Sequence, residues 1–234
     1  MPYTPIDINN VNSKLKDFIE EIICLNKTSV TGNTFDEVIY KILYEHLNKL
    51  KTPKFKKITE AVWTSDYKKY KEQSLTGCFE FGGLSNSVQD DCLIVDKPNG
   101  SQQWPDILII FNKIGLPIEV KSTAKGDKIV WNSGLPISNK IYIYGSYTKG
   151  VTTFLGNHVI SDNEYKTLKE MDELSKTARV PGNKALKSLN SLWDYYPRPM
   201  FNSSEKYFKD KDTQKKREND VIKLIESLDW TKSV

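Results

Sequence analysis

The stretch 104–123, WPDILIIFNKIGLPIEVKST, decides how this chain folds. Asp106 opens a continuous apolar run, Ile107 to Phe111, and Pro105 stops strand pairing just before it. An apolar run of this length between turn residues reads as a buried strand over 106–111. Asn112, Lys113, Ile114 and Gly115 then form a turn that reverses the chain into a second strand, 116–121. Side chains alternate along a strand, so Glu119 and Lys121 point to one side while Ile118 and Val120 point to the other. If the two strands pair as a hairpin, Asp106 comes near Glu119 and Lys121. Two carboxylates and one ammonium then converge at one edge of the sheet.

Such a convergence carries specific chemistry. Two neighbouring carboxylates repel unless a cation sits between them, and hard oxygen ligands suit Mg²⁺. An ion held this way keeps several waters and takes a phosphate oxygen, so it acidifies an attacking water and stabilises in-line displacement at phosphorus. A lysine beside it orients or deprotonates that water, or neutralises the developing charge. The plain alternative is a surface hairpin in which Glu119 and Lys121 are an ordinary same-face ion pair. An apolar strand that starts on an acid argues against that.

Working outward, helical spacing of apolar residues predicts helices over 10–26 and 34–50, with Thr34 and Glu37 in the relation of a capping box. A less regular helix is predicted over 58–72. Short β-like runs follow at 78–81, 92–96, 106–111, 116–121 and 141–145, with a turn at 98–100. Helical patterning returns at 163–175, 183–193 and 212–229. Helices, then strands, then helices predict one domain, 1–234, of α/β or α+β class with a central mixed sheet flanked by helices.

Composition agrees with a globular chain. Of 234 residues, 38% are hydrophobic and 11% aromatic, too much core material for disorder. No run of ~20 uncharged apolar residues suggests a membrane span. The N-terminal MPYTPIDINN lacks the pattern of a secretory signal, so a cytoplasmic location is expected. Cys24, Cys78 and Cys92 are too few and too scattered for a disulfide framework or a closely spaced zinc site. The net charge of +4 hides an uneven distribution: residues 176–217 hold eleven basic side chains against four acidic ones, so that window is +7 and the remainder −3. Residues 49–57, KLKTPKFKK, add five lysines without an acid. Basic charge interleaved with aromatics is compatible with a phosphate-binding surface.

The segment Pro105-Asp106 followed by Glu119-Val120-Lys121 resembles the PD-(D/E)XK nuclease superfamily, specifically its type II restriction endonuclease branch. The resemblance is firm over about 104–123 and loose in 131–136, 141–145, 152–156 and 195–203. It implies a restriction-endonuclease-like sheet and Mg²⁺-dependent hydrolysis of double-stranded DNA to 5′-phosphate and 3′-hydroxyl ends, with one or two ions per site. By that resemblance Asp106 and Glu119 are metal ligands, the Val120 carbonyl is a further backbone ligand, and Lys121 is the water-activating residue. It also suggests an acid on a preceding helix, for which Glu37 is the candidate; Asp90 and Asp91 are alternatives from the preceding strand.

Site-specific cutting requires base reading. Asn132 and Ser133, about ten residues beyond the catalytic strand, and Ser146, Thr148 and Lys149, at the end of the next one, are candidates for it. Arg179, Lys184 and Arg198 suit phosphate contacts better. A duplex break at a palindromic site is most simply made by a homodimer, and such enzymes work beside a companion DNA methyltransferase. A junction-resolving or repair nuclease of the same superfamily, or a non-catalytic DNA-binding module of that fold, are the competing readings. His46 and His158 are distant from each other and lack ligand-spaced partners, so zinc is disfavoured. No Gly-rich phosphate loop or Ser-His-Asp arrangement appears.

Overall fold

In the computed structural model the described residues are 4–30, 34–66, 92–101, 103–112, 114–123, 129–131, 134–191, 193, 195, 197, 199–201 and 210–230. The hairpin of 104–123 forms as β3 (Ile107–Phe111) and β4 (Ile114–Thr123), labelled in chain order. Asn112 turns the chain at a φ of 48°, a left-handed conformation that Asn tolerates better than most residues. Its side-chain amide donates to the Trp230 carbonyl and so ties the turn to the C-terminal segment. The register runs from Phe111 opposite Ile114 to Ile107 opposite Ile118. One further step sets Asp106 opposite Glu119. A slip of one residue between the two strands would put the two carboxylates on opposite faces of the sheet.

The sheet is completed by β1 (Phe55–Ile58), β2 (Cys92–Asp96), β6 (Ile141–Ser146) and β7 (Gly150–Leu155). The order is β1-β2-β3-β4-β6-β7, six strands with two parallel pairs, β1 with β2 and β4 with β6. The two short strands β5 (Ile129–Val130) and β8 (Met200–Phe201) pair separately. This is an α+β arrangement: a mixed open sheet flanked by helices.

Alternation along the strands divides the core. Ile107, Ile109 and Phe111 of β3, with Ile118 and Val120 of β4, face α1 (Pro5–Ile23) and α2 (Phe35–Asn48), and the C-terminal helix Lys211–Glu226 joins the same cluster. The opposite face carries two smaller clusters. One gathers Leu93, Val95, Leu108 and Ile110 under Trp63 of α3 (Glu60–Asp66). The other gathers Trp131, Tyr142, Tyr144 and Phe154 with Ile129 of β5. β4 runs between them, and its charged residues on this face are Glu119 and Lys121. Gly145 in β6 matters for α2: a Cβ there would lie 2.6 Å from a Phe35 ring carbon, so only glycine lets the helix start this close to the sheet.

Several sequence expectations change. Phe55 and Ile58 belong to an edge strand, not to a helix over 58–72, because each buries on a different face while Lys56 and Lys57 stay exposed. Lys57 covers the Tyr40 and Tyr44 rings, its Nζ 4.8 and 5.2 Å from their centroids. The helix after it is described over Glu60–Asp66, and 67–72 lie outside the described residues. The strand predicted at 78–81 lies outside the described residues. The segments 163–175 and 183–193 join in one helix, α4 (Asp162–Ser188), which carries Pro181 within it and buries no residue. The last helix, Lys211–Glu226, is α5. Thr34 makes no capping bond, since its φ and ψ of −107° and 4° are not the extended pair an N-cap requires. The capping boxes that do form are Thr4 with Asp7 and Ser161 with Glu164. β7 had no counterpart in the sequence reading, because its VTTFL core alternates too weakly; its buried Thr152 and Thr153 are satisfied by Glu218 and the Tyr142 carbonyl. Among the described residues no helix is long and apolar enough to cross a membrane.

Candidate active site

β4 and β6 are parallel and β3 is antiparallel to β4, so one end of the sheet collects the start of β3 and the ends of β2, β4 and β6. Asp106 lies at that end. Its backbone N–H donates to Glu119 Oε2 at 3.2 Å, and the Val120 N–H returns a bond to Asp106 Oδ2 at 2.8 Å. The Lys121 ammonium donates to Glu119 Oε1 at 2.5 Å. Glu119 is only 2% exposed, so this charge pair is held out of water. The indole of Trp131 flanks the same ammonium, its ring centroid 5.8 Å from Nζ. Trp131 is in turn fixed by its N–H bond to the Pro199 carbonyl at 3.0 Å and by edge contact with Tyr142.

Burial pushes the Asp106 carboxyl up to about 7, and the Glu119 carboxylate adds to that shift; Lys121 and the Val120 N–H oppose it, and Asp36 raises it further. Asp106 thus holds its proton near neutrality because negative charge surrounds it in a poorly solvated place. Tyr142, opposite Glu119 in the register, is pushed up by burial, with Glu119 contributing in the same direction.

A second charged group adjoins the first. The Lys97 N–H donates to the Asp106 carbonyl at 2.7 Å, and the Lys97 ammonium pairs with Asp36 at 2.7 Å. Asp36 stands in the first turn of α2, brought there by the Phe35 contact with Gly145. Burial raises the pKa of Asp96, as do Asp36 and Glu37, while Lys97 and Lys57 oppose the rise. Of the two acids in the first turn of α2, Asp36 acts on both Asp106 and Asp96; Glu37 is exposed and acts on Asp96.

The hairpin therefore brings together Asp106, Glu119, Val120 and Lys121. Asp36, Asp96, Lys97 and Trp131 were missed. Asp96 could have been found, because it ends the apolar run CLIVD as Asp106 begins the next one, and antiparallel pairing sets those two ends side by side. Asp36 and Trp131 arrive from remote segments and had no such signal.

Thr148 and Lys149 lie exposed in the β6–β7 hairpin, at the same end of the sheet as the site. Ser146 differs from expectation: it is fully buried, and its hydroxyl is held by Thr148, because it still belongs to the ladder opposite Gly150. It has no exposed hydroxyl to offer a base. Arg179 and Lys184 lie on α4, away from the hairpin in sequence and on a helix that buries nothing. Asn132, Ser133, Arg198, Asp90 and Asp91 lie outside the described residues. His46 and His158 lie on different elements, each beside its own carboxylate: Glu21 at 2.7 Å for His46, Asp220 at 3.5 Å for His158.

Among the described residues no three His, Cys, Asp or Glu side chains gather as a metal cage. What the hairpin offers is a pair of carboxylates with a strand carbonyl beside them, oxygen donors only. Burial first, and the Glu119 carboxylate second, raise the pKa of Asp106, so a second negative charge is disfavoured there. Two carboxylates with a strand carbonyl form a donor set that fits a hard divalent cation such as Mg²⁺.

No protein-family model, no curated protein and no solved structure matches this chain.

Proposed function

We propose that this protein is a type II site-specific restriction endonuclease that hydrolyses double-stranded DNA with Mg²⁺ and leaves 5′-phosphate and 3′-hydroxyl ends. The observation that carries the proposal is the meeting of Asp106, Glu119 and Lys121 at one end of the β3–β4 hairpin, with Glu119 buried and Asp106 holding its proton near neutrality. In this reading Asp106, Glu119 and the Val120 carbonyl hold the ion. Bound there, Mg²⁺ supplies positive charge for the phosphate and a more acidic water.

The chain's own residues do the rest. Glu119 fixes the Lys121 ammonium, and Trp131 closes its other side, so its position is set before substrate arrives. From there Lys121 donates toward the attacking water or the developing negative charge on the phosphate oxygens. Water forms a bond to phosphorus as the bond to the 3′ oxygen breaks; that oxygen takes a proton and water's surplus proton passes to solvent. Thr148 and Lys149, at the same end of the sheet, suit contact with the duplex. Cutting both strands at one site calls for a second active site, hence a homodimer, and a methyltransferase protecting the host DNA completes such a system.

Plasmid DNA incubated with protein and Mg²⁺ tests this. Discrete fragments, lost in Lys121→Ala and on chelation, are the expected result. A smear, or cleavage confined to branched DNA, assigns a structure-selective nuclease instead. Tight binding with no cleavage assigns a DNA-binding module.

A further inference from the structure

Trp193 and Tyr195 stand 79% and 64% exposed, two positions apart, just beyond the end of α4. Two large rings bared this close together mark a surface that a partner covers. Their backbone is held in place. The Asn183 side chain, on α4, donates to the Tyr195 carbonyl at 3.1 Å and accepts from the Tyr195 N–H at 3.0 Å. One amide can meet both groups only when they point to the same side, as they do in an extended residue. The Trp193 N–H donates to Ser191 Oγ at 3.1 Å. The chain itself thus engages the polar backbone here, and the two rings are left facing solvent.

Asn183 also fixes what stands beside the rings. Residues four apart share a helix face, so Arg179 and Lys187 lie one turn to either side of the clamp, and Lys184 adjoins it. Over 174–204 the sequence holds five basic residues against one acid, Asp194. Lys176 is engaged by Asp172 and Glu173, each at 3.0 Å. Among the described residues Lys184 and Lys187 pair with no acid. Flat rings beside such cations match a partner that carries π faces and negative charge in regular alternation. Single-stranded nucleic acid is that partner: its bases stack on the rings and its phosphates meet the cations. The two Cα atoms are at most about 7 Å apart, so both rings reach neighbouring bases of one strand. A duplex does not suit the rings, because its bases already stack on one another and present only their edges. A broad anionic lipid surface suits the helix less well, since residues 162–173 hold five acids against two lysines. A single strand is narrow enough to follow the basic half alone.

We propose that Trp193 and Tyr195, with Arg179, Lys184 and Lys187 of α4, form a binding platform for single-stranded nucleic acid. It stands apart from the nuclease reading, since no metal and no cleavage enter it, and a protein without nuclease activity leaves the test unchanged. Binding is measured on the full chain in EDTA, by fluorescence anisotropy of labelled oligo(dT) and oligo(U) of about 20 nucleotides and of a duplex of equal length. Binding to either single strand is the expected result, and the tighter of the two names the sugar. Trp193→Ala with Tyr195→Ala should weaken it about a hundredfold, and Trp193→Phe with Tyr195→Phe should keep it within about threefold of the parent. Neither pair should lower the melting temperature, because both rings are exposed. Duplex affinity should not respond to them. Lys184→Ala with Lys187→Ala should weaken single-strand binding about tenfold at low salt and reduce the slope of log affinity against log salt by about 1.4. A chain that binds neither strand at tens of micromolar overturns the proposal. So does single-strand binding indifferent to the two rings. An equal loss on the duplex overturns it too, and assigns the patch to duplex DNA. Ring-dependent binding to vesicles of about 30% phosphatidylserine, with no binding to either strand, overturns it and assigns the patch to lipid.

Discussion

Two ion pairs of the same length sit in different regions of the molecule. On the outer face of α1, Lys14 and Asp17 meet at 2.5 Å, with their side chains 31% and 39% exposed. In the β3–β4 hairpin, Lys121 and Glu119 also meet at 2.5 Å, but are 13% and 3% exposed. The chemistry of the groups is the same, so the difference between the pairs comes from solvent and neighbours. Water screens the first pair, and its loss exposes nothing that was hidden. The second stands in a poorly solvated place beside a third ionisable group, Asp106, whose pKa burial and Glu119 raise to about 7. Charges become chemically useful where the fold refuses them water.

The comparison breaks most sharply in activity. Lys121→Ala should lower Mg²⁺-dependent plasmid cleavage by about a thousandfold or more, and Asp106→Asn should do likewise, whereas Lys14→Ala should leave it unchanged. Equal loss from both lysines would put the chemistry elsewhere.

Stability separates the two regions next. Lys121→Met leaves Glu119 buried without its cation, and urea unfolding at about pH 8 should show a loss of about 2 kcal/mol. Lys14→Met should stay within about 0.5 kcal/mol. If Lys121→Met is neutral, the hairpin pair is more hydrated than its exposure implies.

The pH dependence sharpens the same point. Asp106 has a raised pKa in the folded state, so between about pH 4 and pH 7 the native protein holds a proton that the unfolded chain has lost. Stability of the metal-free protein should therefore fall as pH rises through that window, and the contribution should level off above it. Asp106→Asn removes the slope and should gain on the order of 2 kcal/mol relative to the parent above pH 7. Parallel stability curves for the two proteins would contradict the assignment of that proton to Asp106.

The smallest effect belongs to the surface. A double-mutant cycle on Lys14 and Asp17 should give a coupling of about 0.5 kcal/mol or less, vanishing at high salt. A large, salt-insensitive coupling would erase the contrast.

Much of the hairpin was legible in advance. The runs DILIIF and LPIEVK are short, apolar and bounded by turn residues, and alternation alone sets Glu119 and Lys121 on one side. Their neighbours were not legible. Asp36 reaches the site because Phe35 seats against Gly145, a contact between residues 110 positions apart in the chain. Trp131 reaches Lys121 because its backbone N–H is held by the Pro199 carbonyl and its ring packs edge-on against Tyr142. Ser146 looked like a turn residue and is instead a buried rung of the sheet, because strand length is decided by the partner strand as much as by local pattern.

Local order in the chain determined which residues form the hairpin and which of its charges share a face, since the two-residue period of a strand is a property of the backbone. Tertiary structure alone decided what those charges are worth. Whether a carboxylate is wet or dry, and which distant acid or indole stands beside it, depends on helices and strands that meet only when the core closes over the sheet.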